Sequence, residues 1–324
     1  MPRSLIVGVG GQDGRILWDQ LLACGHTLIG LSRNSIRLHQ AELYEVVDIL
    51  NPAAVLKLMA EYRPDQIYYL AAHHHSSQDS VSDTAVVWRF SDEIHVQALR
   101  YVLEAVRIAS PDSRIFYASS SRVFGLAEHS PQTEDTPLRP VCIYGVTKAM
   151  GMMLADFYRR THGLFVASGI LFNHESPLRG DSFVSQRVVK GMARIKAGRN
   201  DKLRLGDLQI RVDWGYAPDY TAAMQLMLEA NTPQDFVIAS GATHSIRDLV
   251  VLAAEQFELS WEEHVIEDRQ LLKRPPQELC GDAARLTQAT GWRPRTSFPD
   301  LVRILAAAAA EQEGFRLRAN AQRP

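Results

Sequence analysis

Two hydrophobic patterns alternate along the chain, one typical of buried strands and one typical of amphipathic helices. Short β-branched and aromatic runs bounded by turn residues predict buried strands at Ser4–Val9, Thr27–Ser32, Tyr44–Val47, Gln66–Leu70, Arg114–Ser119, Phe165–Leu171, Leu203–Leu208 and Phe236–Ala239. Apolar residues at helical spacing predict helices at Arg15–Cys24, Pro52–Tyr62, Ser91–Ala109, Gly145–Thr161, Phe183–Ala197 and Pro218–Ala230. Because strands alternate with helices, we expect right-handed crossovers and a doubly wound parallel sheet of the Rossmann α/β class.

The alternation also suggests how the chain divides. We expect residues 1–172, completed by about 212–240, to form a Rossmann domain, and residues 173–211 and 241–324 to form a smaller mixed α/β lobe that binds substrate. In such sheets the ligand lies at the carboxyl ends of the strands. The candidate chemistry should therefore follow the strands.

A glycine-rich turn joins the first strand to the first helix. Gly8, Gly11 and Gly14 follow at spacing G-x-x-G-x-x-G. Glycines there allow a tight turn and let the backbone approach a pyrophosphate at the helix N-terminus. The spacing is typical of extended short-chain enzymes and predicts a dinucleotide cofactor.

The residues after strands two and three bear on which dinucleotide binds. NAD enzymes commonly place an acid at the end of strand two, but this chain has Ser32-Arg33-Asn34. An arginine suits a 2′-phosphate, so NADP is favoured over NAD. Asp48 could accept a hydrogen bond from the adenine amino group, or lie in an exposed loop.

Strand five ends in Ser119, Ser120 and Ser121, and a later helix carries Tyr144 and Lys148 on one face. A serine at a strand end with Tyr-x-x-x-Lys is the acid–base set of a short-chain dehydrogenase. A lysine ammonium one turn away, with an oxidised nicotinamide, would lower the tyrosine pKa and let the phenolate exchange a proton with a sugar hydroxyl.

Strand four leads into Ala71-Ala72-His73-His74-His75. The alanines leave room for the nicotinamide half of a cofactor. Adjacent histidines point in different directions and no carboxylate follows at ligand spacing, so no metal site is predicted. We expect His75 to line the sugar pocket instead.

Composition narrows the classes of function. The 324 residues have a net charge of −2, and the 22% that are charged are spread along the chain, which is atypical of nucleic-acid-binding or membrane-associated surfaces. No apolar run approaches membrane-spanning length. Three scattered cysteines without ligand spacing indicate a reducing, cytoplasmic setting.

Four segments resemble the GDP-mannose 4,6-dehydratase family, and the resemblance covers nearly the whole chain. They are GQDG, ILFNHESPLRG, DWG and DFVIASGATHSIRDLV. The resemblance implies NADP, a GDP-sugar substrate and catalysis by Ser120, Tyr144 and Lys148. Together with the strand-end reasoning it predicts cofactor contacts at Gly8, Gly11, Gln12, Asp13, Gly14, Arg33, Asp48, Leu70, Ala71, Tyr144 and Lys148. Predicted substrate contacts are His75, Arg122, Asn173, Arg187, Arg211 and Arg274.

The departures from the family pattern matter as much. The family has Thr-Ser-Glu where this chain has Ser120-Ser121-Arg122, and an arginine cannot act as the base for eliminating water. Val212 replaces a family arginine, with Arg211 adjacent. The loop after Arg33 is short, which removes a family tetramer contact. We therefore expect a homodimer packed through the helices Ser91–Ala109 and Gly145–Thr161.

Three functions remain open at this stage. The favoured one is oxidation or reduction at C4 of a GDP-hexose or related sugar nucleotide, as a 4-ketoreductase or a 4-epimerase. A second is true 4,6-dehydration with a substitute base, such as one of the three histidines. A third is a non-catalytic NADP-binding sensor or scaffold, which the intact serine–tyrosine–lysine set argues against.

Overall fold

The computed structural model describes residues 1–32, 38, 44–73, 84–271 and 278–317. Within these ranges the strands are β1 (Arg3–Val7), β2 (Thr27–Ser32), β3 (Tyr44–Val46), β4 (Gln66–Tyr69), β5 (Arg114–Ala118), β6 (Phe165–Leu171), β7 (Asn173–Glu175), β8 (Leu203–Leu205), β9 (Arg211–Tyr216), β10 (Phe236–Ile238), β11 (Thr243–Ser245) and β12 (Val265–Glu267). The helices are α1 (Gln12–Ala23), α2 (Pro52–Tyr62), α3 (Thr84–Asp92), α4 (Ala98–Ala109), α5 (Ile143–His162), α6 (Val184–Lys196), α7 (Ala217–Glu229), α8 (Ile246–Gln256), α9 (Trp261–His264), α10 (Ala284–Thr290) and α11 (Phe298–Gln312).

A seven-stranded sheet forms the centre of the molecule. Its strand order is β10-β6-β5-β4-β1-β2-β3, and every neighbouring pair is parallel. Helix α1 packs against α7, and α2 packs against α4, which also contacts α5. The interior strands are almost wholly buried, as parallel strands covered on both faces must be. The predicted α/β class and Rossmann sheet are confirmed.

A second hydrophobic core lies beyond this sheet. Helix α6 packs on α8 and α11, and Trp214 stacks on Phe298 with ring centroids 5.6 Å apart. The three-stranded sheet β11-β9-β7 and the two-stranded sheet β12-β8 belong to this side of the chain. However, α10 packs on β10 in the first core, so part of 241–324 belongs with the Rossmann core. The role of the second core in substrate binding stays a prediction.

The largest difference from the predicted elements lies before strand five. One helix was expected over Ser91–Ala109, but α3 begins at Thr84 and is joined to α4 by a π-helical turn over Glu93–Gln97. A π-turn inserts one residue into the helical repeat without breaking it, so the apolar spacing on either side conceals the turn.

None of the helices in the described ranges is long and apolar enough to cross a membrane. Cys24, Cys142 and Cys280 are all free thiols. Helix α5 leaves Met150, Met153 and Phe157 exposed by 38%, 63% and 48%, at positions that share one side of the helix.

Candidate active site

A large cavity of about 1110 Å³ opens where the central strands end. Its wall includes the turn after β1 and residues that follow β4, β5 and β6. The opposite wall comes from α6 and from residues 206–213, which belong to the second core. The cavity therefore lies between the two cores, at the edge of the sheet where the sequence placed the ligand.

The glycine-rich turn brings backbone close to the neighbouring strand end. Gly8 has a φ of +93°, and a Cβ there would lie 2.8 Å from the backbone nitrogen of Ala71. A Cβ at Gly14 would lie 2.6 Å from the Gly8 carbonyl oxygen. Only glycine allows this turn and the close packing of α1 beneath it.

The residues around this turn fit a dinucleotide. Gly11, which precedes α1, provides no side-chain cap, so the N–H groups of the first helical turn face the cavity. Ser119 also lines the cavity, and its buried hydroxyl has no hydrogen-bond partner within the protein. An anion-binding helix terminus and an unused hydroxyl are what a pyrophosphate and a polar ring substituent require.

Ser120, Tyr144 and Lys148 converge from β5 and α5. The Ser120 side chain hydrogen-bonds Tyr144 and also accepts from the backbone N–H of Arg122 at 3.3 Å. The Lys148 ammonium is only 1% exposed. It donates to the Ala118 carbonyl at 2.7 Å and lies 5.7 Å from the centroid of the Tyr144 ring. These contacts connect the end of β5 to the first turns of α5.

Burial is the largest influence on the pKa values of Tyr144 and Lys148. It raises the pKa of Tyr144 to about 12, although Arg179 and the Ser120 hydrogen bond act in the opposite direction. Burial also lowers the pKa of Lys148 to about 7, opposed by Asp13. The sequence predicts that Lys148 together with an oxidised nicotinamide lowers the Tyr144 pKa. Within the protein alone, desolvation is the largest effect on both groups, and it raises the Tyr144 pKa.

A buried ion pair joins the glycine-rich turn to β7. His174 Nε2 lies 3.0 Å from Asp13 Oδ2, and His174 Nδ1 lies 2.7 Å from the Phe172 carbonyl oxygen. Burial alone would raise the Asp13 pKa and lower the His174 pKa, but mutual attraction outweighs it and shifts both in favour of the charged pair. Gln12 supports the pair by donating to Asp13 at 3.0 Å.

Three arginines make part of the cavity wall cationic. Arg122, Arg179 and Arg187 all line it. The Arg179 guanidinium stacks 3.5 Å from the centroid of the Phe183 ring, which fixes its plane. The sequence also allows Arg122 to turn out of the pocket and pair with an acid such as Glu134. In the structure Arg122 lines the cavity, and Glu134 accepts from the Val237 N–H and lies 3.5 Å from Arg285.

Most of the predicted site residues are brought together here. Those lining the cavity are Gly8, Gly11, Gln12, Asp13, Gly14, Leu70, Ala71, Ser120, Arg122, Tyr144, Lys148, Asn173 and Arg187. Arg33, His75 and Arg274 lie outside the described residues. The roles assigned to each residue stay predictions.

Two predicted contacts are not brought to the cavity. Arg211 is exposed and binds the Thr243 carbonyl at 2.6 Å, whereas Val212 lines the cavity. Successive side chains of a strand point to opposite faces, so Arg211 cannot replace an inward arginine at 212. Asp48 is also exposed and accepts from the Leu50 N–H at 3.0 Å.

Other residues of the site were not predicted. His174 and Arg179 belong to the ILFNHESPLRG segment, so the resemblance marked their neighbourhood without assigning them a role. Asp213 is buried and accepts from the backbone of Ser240, Gly241 and Gly281, which ties β9 to two loops beside the cavity. Nothing in the spacing along the chain signals these distant contacts.

Comparison with known proteins agrees with this geometry. Residues 5–305 match the family model described as GDP-mannose 4,6 dehydratase. The chain belongs to the GDP-mannose 4,6-dehydratase family. GDP-mannose 4,6 dehydratase 1 of Arabidopsis thaliana is 33% identical, over 93% of this chain and 88% of the relative. GDP-mannose 4,6-dehydratase of Sinorhizobium fredii is 32% identical, over 92% and 93%. This protein is thus a nucleotide-sugar enzyme of the short-chain dehydrogenase superfamily.

Solved structures share the fold. RMD from Pseudomonas aeruginosa, complexed with NADPH, superposes with a TM-score of 0.81 at 24% identity, over 96% of this chain and 100% of that one. UDP-glucose 4-epimerase from Thermus thermophilus, complexed with NAD, gives 0.81 at 22%, over 95% and 98%. At these identities the likeness shows the fold alone, since epimerases and dehydratases share it.

The buried lysine generates a stability prediction. Lys148→Met should abolish turnover yet raise Tm, because it removes an ammonium whose burial is unfavourable. Since the Lys148 pKa is about 7 in the folded chain and about 10.4 when unfolded, wild-type folding is penalised fully below pH 7. The penalty fades as pH rises towards 10. The Tm gain should therefore be larger at pH 6.5 than at pH 9.5.

Differential scanning fluorimetry at the two pH values checks this prediction. Lys57→Met, on the exposed face of α2, is the matched control and should leave Tm nearly unchanged at both. A Tm gain that does not depend on pH would show that burial does not lower the Lys148 pKa.

Proposed function

We propose that this protein is an NADP(H)-dependent enzyme that moves hydride at C4 of a GDP-hexose, as a 4-ketoreductase or a 4-epimerase. The observation that carries the proposal is the junction of β5 and α5. Ser120 and Tyr144 share a hydrogen bond beside buried Lys148, while Arg122 occupies the position of the family's glutamate. The machinery for proton exchange at a carbinol is intact, and the family's base for eliminating water is replaced.

The cofactor assignment rests on the turn after β1 and on the residue after β2. Gly8, Gly11 and the first turn of α1 would hold the pyrophosphate, and Leu70 and Ala71 would border the nicotinamide. Arg33 directly follows Ser32, which lines the cavity, and a guanidinium is the side chain that suits a 2′-phosphate. NADP(H), when bound, supplies or accepts the hydride.

The protein's own groups handle the proton. With a pKa raised to about 12, Tyr144 is a phenol at neutral pH, which is the form that protonates a C4 oxygen during reduction. Ser120 would hold the same oxygen through its hydroxyl. Lys148, with its pKa lowered to about 7, lies 5.7 Å from the centroid of the Tyr144 ring, so its ammonium form would favour loss of the phenol proton.

The substrate assignment rests on charge and on the relatives. Arg179 and Arg187 line the cavity, where a diphosphate would find guanidinium partners. Relatives that match over more than nine-tenths of this chain are GDP-mannose 4,6-dehydratases. A GDP-sugar is therefore the favoured substrate, with Asn173 positioned in β7 to contact its sugar.

Dehydration is the second candidate, and the relatives favour it. It requires a group that accepts the C5 proton and assists departure of the C6 hydroxyl. Arg122 offers only donors at any working pH. His73 lines the same cavity and is the described residue best suited to serve as a substitute base.

Tyr144→Phe tests the proton-transfer role. Removing the hydroxyl should lower kcat by about a hundredfold or more while NADPH affinity stays within about twofold, because the hydroxyl acts only on the reacting oxygen. Turnover is measured as NADPH oxidation with GDP-4-keto-6-deoxymannose, and affinity as quenching of intrinsic fluorescence. Tyr101→Phe, on the helix α4, is the control. Full activity of Tyr144→Phe would place the chemistry elsewhere.

Arg122→Glu tests whether Arg122 is what prevents dehydration. The substitution restores the family's side chain beside Ser120, so some 4-keto-6-deoxy product should appear from GDP-mannose and NADP⁺. Arg122→Gln removes the same charge without supplying a base and should yield none. Product from wild type at a comparable rate would overturn the C4-only proposal in favour of dehydration.

The exposed apolar side of α5 supports a homodimer packed through the predicted helices Ser91–Ala109 and Gly145–Thr161. Met153→Glu with Phe157→Glu should convert the dimer to monomer, since charges would be buried without partners at the interface. Light scattering after size-exclusion chromatography measures the mass. Ile266→Glu, on β12, is the control. A wild-type monomer, or a double variant that stays dimeric, would contradict this interface.

A further inference from the structure

The π-helical turn between α3 and α4 lies against the active site and has no assigned role. It spans Glu93–Gln97, and the turn exposes a carbonyl that a regular helix would use internally: Ile94 accepts from the Tyr69 hydroxyl at 2.5 Å. π-Turns inside helices are frequently found at functional sites. At its centre is His95, which is completely buried.

His95 bridges two parts of the site. Its Nε2 accepts from the backbone N–H of His73, which follows β4 and lines the cavity, at 2.9 Å. Its Nδ1 lies 2.7 Å from the Thr147 hydroxyl, which is also buried. Thr147 in turn donates to the Ile143 or the Tyr144 carbonyl, at 3.0 and 3.2 Å. One side chain thus connects the loop after β4 to the first turn of α5.

These contacts fix which nitrogen carries the proton. A backbone N–H can only donate, so Nε2 must present its lone pair to His73. The Thr147 hydroxyl uses its single hydrogen on a helix carbonyl, so it accepts from Nδ1–H. A proton on both nitrogens would set Nε2–H against the His73 N–H. The network therefore assigns the neutral Nδ1–H tautomer.

The imidazole also touches the proposed acid–base residue. The ring centroids of His95 and Tyr144 are 5.3 Å apart, and their planes meet at 88°, an edge-to-face contact. Tyr144 is thus packed against His95, with the Lys148 ammonium 5.7 Å from its ring centroid. Its ring position depends on the imidazole, and the imidazole position depends on His73 and Thr147.

We propose that His95 is a positioning residue, which as a neutral Nδ1–H imidazole holds the Tyr144 ring at a fixed place relative to the loop after β4. The proposal rests on the acid–base role of Tyr144 proposed above. If the loop after β4 borders the nicotinamide, His95 sets the distance over which proton and hydride transfer must be coordinated. A displacement of about 1 Å in such a group can cost about a hundredfold in rate.

Substitutions at Thr147 test the hydrogen bond between His95 and Thr147 with little change in side-chain volume. Thr147→Val removes the acceptor for Nδ1–H with little change in volume, and Thr147→Ser keeps it. We expect kcat for NADPH oxidation with GDP-4-keto-6-deoxymannose to fall tenfold or more in Thr147→Val, and to recover to within about threefold of wild type in Thr147→Ser. KM and NADPH affinity should change less than twofold, since Thr147 is not among the residues that line the cavity. His129→Gln, at an exposed histidine, is the control.

A double-mutant cycle separates positioning from general destabilisation. His95→Gln and Thr147→Val should each lower kcat. The double variant should be no slower than the slower single variant, because both substitutions break the same hydrogen-bonded connection between His95 and Thr147. Independent losses that multiply, or a kcat that is unchanged in Thr147→Val, would overturn the proposal.

A readout that needs no turnover completes the test. Long-range ¹H–¹⁵N spectra of the histidine-labelled protein, with the His95 signals assigned by their loss in His95→Gln, should show a protonated Nδ1 and an unprotonated Nε2. A protonated Nε2 would overturn the assignment. If Tyr144→Phe remains active, the proposed function fails while the tautomer can still be as assigned. If Tyr144→Phe is inactive and Thr147→Val is not, only the positioning role of His95 fails.

Discussion

The active site depends on holding a lysine ammonium inside the protein. Lys148 is buried and donates to the carbonyl that ends β5, and burial brings its pKa to about 7. The carboxylate that favours its charge is Asp13, in the glycine-rich turn. Asp13 is kept ionised by His174 of β7, at 3.0 Å. The charge state of Lys148 on α5 is therefore linked to the glycine-rich turn and to β7, the first strand beyond β6.

This linkage explains why the site lies between the two cores. The turn after β1, the end of β5 and the start of α5 come from the Rossmann side, whereas β7 and α6 lead into the second core. Gln12 donates to the His174 carbonyl at 3.2 Å and accepts from the Ser176 hydroxyl at 2.9 Å. The glycine-rich turn of the Rossmann side is therefore hydrogen-bonded to the segment that leads into the second core. A change in the packing of the cores would move the charges that set the acid–base pair.

Much of this arrangement could be predicted from the sequence because it is local. β2, α2 and β6 have the predicted bounds, since each is a strongly patterned run ended by turn residues. Serine at a strand end and Tyr-x-x-x-Lys on a helix face depend only on strand and helix geometry. The parallel sheet then brings them together, because all its strands end at one edge.

The other features of the site depend on contacts between distant segments, which the spacing of residues along the sequence does not predict. The π-turn conserves the apolar pattern on either side, so His95 looked like one more helical residue. Which of Arg211 and Val212 faces the cavity follows from the register of β9, a strand that was not predicted. The pKa values of Tyr144 and Lys148 follow from burial, whose extent becomes known only when the cores are packed.

Isotope-resolved mass spectrometry in D₂O distinguishes the proposed hydride transfer at C4 alone from dehydration. Dehydration removes the C5 proton and returns a solvent deuteron to carbon, whereas C4 oxidation, reduction or epimerisation takes no carbon-bound hydrogen from solvent. With GDP-mannose and NADP⁺, we expect no loss of water and no carbon-bound deuterium. With GDP-4-keto-6-deoxymannose and NADPH, a ketoreductase would add two hydrogens, the carbon-bound one from the cofactor. A product of GDP-mannose that has lost one water and carries deuterium at C5 would overturn the proposed function in favour of dehydration.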